Sequence, residues 1–163
     1  MQQTKIASGE RVLLLEEFIP YRLARVAEAV SVDFASLYRS RYGLTRPEWR
    51  VFATIGQFSE TTATRIGCHS AMHKTKVSRA ITGLERRNWI TRTTDTRDRR
   101  IEQVKLTPEG RRRYKELVTI AQHFERSLIE RLGDDNFKSL CLALNALDRI
   151  FDDGETGKRR HTD

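Results

Sequence analysis

The chain has 163 residues, 38% of them hydrophobic and 32% charged, with 9 Gly, 3 Pro and 2 Cys. It is long enough to bury roughly 68–70% of its unfolded surface, and its composition excludes a fibrous repeat, a disordered tract and a disulfide scaffold. The longest unbroken aliphatic run, Val12 to Leu15, falls far short of the ~20 apolar residues of a membrane span, so no membrane partner is expected. Lys plus Arg outnumber Asp plus Glu by 30 to 22, and the excess is gathered in one place: Lys74 to Arg113 holds 13 basic and 5 acidic residues, while the rest of the chain holds 17 of each. Forty residues therefore carry the whole net charge of +8, the footprint of a polyanion-facing module on a neutral body.

The N-terminal segment, with Lys5, Arg11 and the acids Glu10, Glu16 and Glu17, reads as neither a secretory signal nor a transit peptide, so a cytoplasmic chain is expected. Leu15, Ile19, Leu23, Val26, Val30, Phe34 and Leu37 recur at helical spacing. Pro20 lies inside that pattern, and we expect a kink there after a short preceding helix rather than a helix start. Arg41 to Gly43 ends the helix, and Thr45-Arg46-Pro47-Glu48 has the spacing of a capping box opening a second helix to about Phe58. Ser59 to Thr62 reads as a turn and cap before a short third helix, about Ala63 to Cys68.

Met72 to Arg87 follows as a helix with two faces: Val77, Ile81 and Leu84 point one way, and Lys74, Thr75, Lys76, Ser78, Arg79, Thr82 and Arg86 cover the rest. Ile90 to Thr94 and Ile101 to Leu106 are two Ile/Val/Thr-rich strands around a charged tip, Asp95-Thr96-Arg97-Asp98-Arg99-Arg100. Thr107-Pro108-Glu109-Gly110 starts a long helix, with Thr as cap and Pro in the first helical position. Its apolar positions are Tyr114, Leu117, Ala121, Phe124, Leu128 and Leu132, and Gly133 closes it. A last helix from about Asp135 carries Phe137, Leu140, Leu144, Leu147 and Phe151, with Cys141 on the same stripe and expected to be buried. The polar tail is expected to be disordered.

Two short helices joined by a turn, the second one basic, followed by a charged hairpin, make a winged helix-turn-helix DNA reader. The expected class is mainly α, with a small β-hairpin wing and N- and C-terminal dimerisation helices. The regions are 1–42 (N-terminal dimerisation), 43–106 (DNA binding), 107–152 (C-terminal dimerisation) and 153–163 (tail). Lys and Arg neutralise phosphates, and Arg, Lys, Ser and Thr on a helix reach base edges in the major groove. Arg97, Arg99 and Arg100 at the wing tip suit the phosphate backbone or a narrow minor groove, with Asp95 and Asp98 bracing them as ion-pair partners. Three amphipathic helices exceed what one three-helix core can cover, so a homodimer presenting two basic helices to half-sites about one DNA turn apart is expected.

The segment His73-Lys74-Thr75-Lys76-Val77-Ser78-Arg79-Ala80, then Leu84 to Ile90, Asp95 to Arg100 and Leu106-Thr107-Pro108-Glu109-Gly110-Arg111 resemble the MarR family of transcriptional regulators, over roughly Glu16 to Phe151. The resemblance implies a homodimeric winged-helix regulator, usually a repressor that binds a palindromic double-stranded operator and is released by a small ligand. It places Lys74, Thr75, Lys76, Ser78 and Arg79 in the recognition helix and Arg99 in the minor groove, supported by Asp98 and Arg100. Two positions depart from the family pattern: His73 stands where an acid is frequent, and Trp89 replaces a smaller aliphatic. The resemblance also implies an effector pocket for an aromatic carboxylate between the dimerisation helices and the second helix. Arg22, Trp49, Arg50 and Tyr114 are the candidates for its cation, stacking surface and hydroxyl.

Other chemistries find less support. Cys68, His69 and His73 span a turn and lack a carboxylate, so no metal site and no cofactor are expected, and a redox or metal sensor of this fold stays an alternative. No phosphate-binding loop, dinucleotide fingerprint, nucleophile elbow or zinc-protease motif occurs, so no enzyme is expected. The rival from another class is an architectural protein that binds nucleic acid without reading sequence.

Overall fold

The structure is a computed structural model that describes residues 6–7, 10–94 and 102–158, with the backbone alone at 6–7, 10–11 and 152–158. In chain order the elements are β1 (Ile6–Ala7), β2 (Glu10–Arg11), α1 (Ile19–Tyr42), α2 (Arg46–Phe58), β3 (Glu60–Thr62), α3 (Ala63–Ser70), α4 (Lys74–Arg86), β4 (Ile90–Thr94), β5 (Glu102–Leu106), α5 (Pro108–Leu132) and α6 (Asp134–Lys158). The chain divides into two units, residues 1–120 and 121–163. It is mainly helical with a small antiparallel sheet, the expected winged-helix class.

Pro20 does not kink α1. It occupies the first turn, after a turn in which Phe18 N–H donates to Leu14 O and Leu15 O. A proline there gives up an N–H that has no intrahelical acceptor anyway, so starting the helix costs less than bending it. Gly43, at φ 62°, closes α1 by donating to Arg39 O at 2.8 Å. The capping box then opens α2 as expected: Thr45 Oγ1 accepts from Glu48 N, and Glu48 Oε2 accepts from Thr45 N at 2.8 Å. Only the last turns of α1 are covered, by way of Ala35, Tyr38 and Tyr42, whereas Leu15, Ile19, Leu23, Val26 and Leu37 are 41–56% exposed.

The core of the first unit joins Val51, Phe52 and Ile55 of α2 to Ile66 of α3, Val77, Ile81 and Leu84 of α4, and Trp89, Ile90, Val104 and Leu106 at the sheet. Leu117 of α5 closes it. A side chain at Gly83 of α4 would overlap Glu48 Oε1, so glycine lets α4 sit against the capped end of α2. The expected two-stranded wing root is a three-stranded sheet, ordered β3-β5-β4. Thr61 and Arg92 both pair with Val104 from opposite sides. Glu60–Thr62, expected as a turn, becomes strand because β5 offers it a free edge, a non-local partner that three residues cannot announce by themselves. Thr62 also caps α3, accepting from Arg65 N at 3.2 Å.

The second unit comprises the end of α5, a left-handed Gly133 at φ 82°, and α6. Leu140, Leu142, Leu144, Ile150 and Phe151 of α6 are 40–70% exposed. Cys141, expected to be buried, is only half-buried, and Leu140 and Leu144 beside it on the stripe stay exposed. The α6 backbone continues to Lys158, so helix extends into the expected disordered tail. Gly154 and Gly157 cost only about 1 kcal/mol each in a helix, too little to stop it. Among the described residues, no helix is long and apolar enough to cross a membrane.

Candidate nucleic-acid interface

The two-faced pattern of α4 is realised over Lys74–Arg86, with Thr82 partly covered. Val77, Ala80, Ile81 and Leu84 are buried, and Lys74, Thr75, Lys76, Ser78 and Arg79 are all exposed. Ala71 takes the left-handed conformation, φ 50°, and Met72 N–H donates to Gly67 O at 3.0 Å. This tight turn sets α4 off α3 as the second helix of a helix-turn-helix. His73 is the N-cap, its Nδ1 accepting from Thr75 N–H at 3.3 Å. The imidazole thus does what a capping carboxylate would do, without adding a negative charge at the start of a helix that must meet an anion. Lys74, Lys76 and Arg79 have no ion-pair partner among the described residues.

Charge counting does not reveal that the basic stretch splits into two populations. One is this open face. The other is committed to the fold. Arg87 donates to Tyr42 O at 3.1 Å and to Gly43 O at 2.9 Å, its Nε lies 3.9 Å from Glu48 Oε1, and it lies over the Trp89 ring. It therefore serves the exposed carbonyls at the negative end of α1. Arg92 reaches from β4 to Glu85 Oε2 on α4 at 2.8 Å, to Thr82 Oγ1 at 3.3 Å and to Glu102 Oε2 on β5 at 3.5 Å. It ties the sheet to the recognition helix, a role its place in a basic run hides. Arg111 donates to Leu106 O at 2.8 Å. Arg112 and Arg113 pair with Glu109, and Arg113 also with Glu116. These guanidiniums hold Glu109 below the usual carboxylate range, chiefly through the Arg112 hydrogen bond. Glu116 is lowered too, first by the hydrogen bond it accepts from the Tyr42 hydroxyl at 2.9 Å.

The wing tip lies outside the described residues, and with it Asp95, Arg97, Asp98, Arg99 and Arg100. At the wing root, Trp89 is 8% exposed and packs 5.2 Å from the Phe52 ring and 6.2 Å, edge-on, from Tyr42. A smaller aliphatic could not make these contacts, so the departure from the family pattern is absorbed into the core.

The four candidates for an effector seat are not brought together within the described chain. Trp49 stacks on Tyr38 at 5.5 Å and meets Phe34 edge-on at 5.0 Å. Tyr114 packs edge-on to Phe52 and closes over Gly56. Arg22 lies on the uncovered part of α1. Arg50 lines a separate cleft with Arg46, His73 and Lys76. Helical spacing sorts these residues by element but not by direction, and α2 points Trp49 and Arg50 to different sides. The Cys68, His69 and His73 set is also dispersed in role: His69 meets Phe58 edge-on at 4.9 Å and lies 3.4 Å from Thr54 Oγ1, while His73 is the cap.

Residues 44–101, the span from just after α1 to just before β5, match the MarR family. The chain carries a MarR-family domain. A MarR family transcriptional regulator from Silicibacter pomeroyi DSS-3 is 28% identical, with a TM-score of 0.74 over 85% of this chain and 99% of its own. A MarR/EmrR family regulator from Acinetobacter sp. ADP1 aligns at a TM-score of 0.77 and 20% identity, covering 86% of this chain and 99% of its own. BpsR of Bordetella bronchiseptica, described with 6-hydroxynicotinic acid as regulator of its DNA binding, aligns at 0.74 and 20% identity over 84% and 97%. No curated protein matches the sequence. The MarR-type domain and its exposed basic helix make this chain a DNA-binding transcriptional regulator.

Proposed function

We propose that the protein is a homodimeric repressor that reads a palindromic double-stranded operator through α4 and is released from it by a small aromatic acid. The observation that carries the reading is α4 itself, whose Lys74, Thr75, Lys76, Ser78 and Arg79 are exposed while its opposite face is locked into the core. Such a face offers phosphate neutralisation and base-edge donors on a rigid mount. Dimerisation is supported by apolar faces left open on α1 (Ile19, Leu23, Val26) and α6 (Leu140, Leu144, Phe151), whose burial in a second copy removes them from water. A two-fold pair would set the two α4 helices for half-sites about one DNA turn, ~34–36 Å, apart. Release by an aromatic acid rests on the shared fold with BpsR, whose DNA binding 6-hydroxynicotinic acid regulates. Arg22, on the open part of α1, is the residue we assign to the acid's carboxylate.

The test is selection of sites from a random duplex pool at ~150 mM salt, where purely electrostatic binding is already weakened. An enriched palindrome with half-site centres ~10 bp apart is expected. Recovery of bound DNA without any motif would replace this reading with a non-specific architectural one.

A further inference from the structure

Beside the recognition helix, the start of α2 and the turn before α4 enclose an open cleft of about 360 Å³. The polar side chains that line it are those of Arg46, Arg50, His73 and Lys76, with Pro47 and Met72 among the apolar walls; Glu28, outside the lining, lies within electrostatic reach of Arg50. Arg46 is spoken for, since both its terminal nitrogens donate to Glu28 at 2.6 and 2.7 Å. Arg50 and Lys76 are exposed and have no ion pair among the described residues. His73 is fixed in one tautomer by its own cap: Nδ1 accepts from Thr75 N–H, so a neutral ring carries its proton on Nε2 and is a donor there.

Resting on the DNA-binding reading above, the geometry points to this cleft as the seat of one phosphate of the DNA backbone, held by Arg50 and Lys76 with His73 Nε2–H as a third donor. The chemistry selects a compact oxyanion: a guanidinium fork, an ammonium and an imidazole line the same cleft, with no Phe, Tyr or Trp among its lining residues. The position suits a backbone contact rather than base readout. Arg50 comes from α2, not from α4, and a contact from a second helix fixes the register of α4 on the duplex. Lys76 joins the two, since it stands on α4 yet lines the cleft.

Titrations of full-length protein against the selected operator and a scrambled duplex, at several salt concentrations, test this. Arg50→Gln should weaken both duplexes by the same factor and lower the salt-dependence slope by about 1, the signature of one lost phosphate contact. Arg50→Lys should restore most of the slope, and Arg126→Gln, an exposed charge on α5, should leave it unchanged. Thermal melts of each variant check folding. An unchanged slope for Arg50→Gln on both duplexes overturns the assignment, as does a loss confined to the operator, which would make Arg50 a base reader. Calorimetry with inorganic phosphate separates the sources. Binding lost in Arg50→Gln, together with an unchanged DNA slope, would give the cleft to a free oxyanion and overturn the backbone assignment. If the wild-type protein binds neither duplex, the underlying DNA reading fails, an outcome distinct from all of these.

Discussion

Replacing Gly110 by Ala sets two physical effects against each other, and the structure decides which wins. Alanine is the better helix former, worth at most about 1 kcal/mol in the first turn of α5. A Cβ at this position, however, would overlap the Trp89 carbonyl oxygen and stand 2.8 Å from its carbonyl carbon. That carbonyl cannot swing away, because it accepts from Thr107 N–H at 3.0 Å and belongs to a residue whose ring is packed on Phe52. Thr107 is itself held, its hydroxyl donating to Asn88 O at 2.7 Å and accepting from Gly110 N–H at 2.9 Å. Forcing a methyl into such a contact costs about 1–3 kcal/mol, and losing the Thr107 bond costs about 1 more. The net expectation is a destabilisation of about 1–3 kcal/mol. Urea unfolding followed by circular dichroism, with protein concentration held fixed, should show a midpoint lowered by on the order of 1 M at unchanged slope. A variant as stable as the wild type, or more so, would mean that propensity governs here and that the close approach of α5 to the wing root is not a constraint.

Three further outcomes follow from the same structure. Arg79→Ala should cost about 1–3 kcal/mol of operator affinity and much less on scrambled DNA; an equal loss on both in binding titrations would make Arg79 a phosphate contact. Leu144→Arg places a charge on the open stripe of α6 and should shift sedimentation from dimer to monomer with helix content kept, whereas an unchanged sedimentation coefficient would take α6 out of the interface. Glu109 and Glu116 titrate below their unfolded value of 4.5, so their contribution to stability is complete above that value and lost as pH falls through their lowered values. Chemical stability should therefore drop below about pH 4.5, and less so in Arg113→Gln. A wild-type profile flat through that window, or the same drop in the variant, would refute the role given to these pairs.

Much of the interface is legible in the sequence because it is local. The spacing of Val77, Ile81 and Leu84 against Lys74, Thr75, Ser78 and Arg79 reports a helix with one dry and one basic face. Thr45-Arg46-Pro47-Glu48 specifies its own cap within four residues, and the structure reproduces it. Long-range pairing escapes the same reasoning. Arg92 counts as one more charge in the basic stretch, yet its partners Glu85, Thr82 and Glu102 come from α4 and β5, and no spacing rule connects them. Arg87 is similar, serving carbonyls more than forty positions earlier. The expected effector set does not assemble in the described chain for a related reason: membership of a helix says nothing about which neighbour a side chain turns toward.

What the sequence determined alone is the set of amphipathic helices, the caps at Thr45 and Thr107, the concentration of positive charge, and the apolar stripes of α1 and α6. Each follows from interactions within a few residues or from periodicity, where geometry is set by the helix itself. Only the tertiary structure decided that Glu60–Thr62 is a strand, that Pro20 begins α1 instead of bending it, and which basic side chains remain open to DNA. The strand and the open charges depend on where a free sheet edge, a carbonyl cluster or a carboxylate arrives from elsewhere in the chain, whereas Pro20 takes the first turn after the local turn at Leu14 to Phe18. A guanidinium beside such a partner gives up its availability to phosphate in return for a defined geometry.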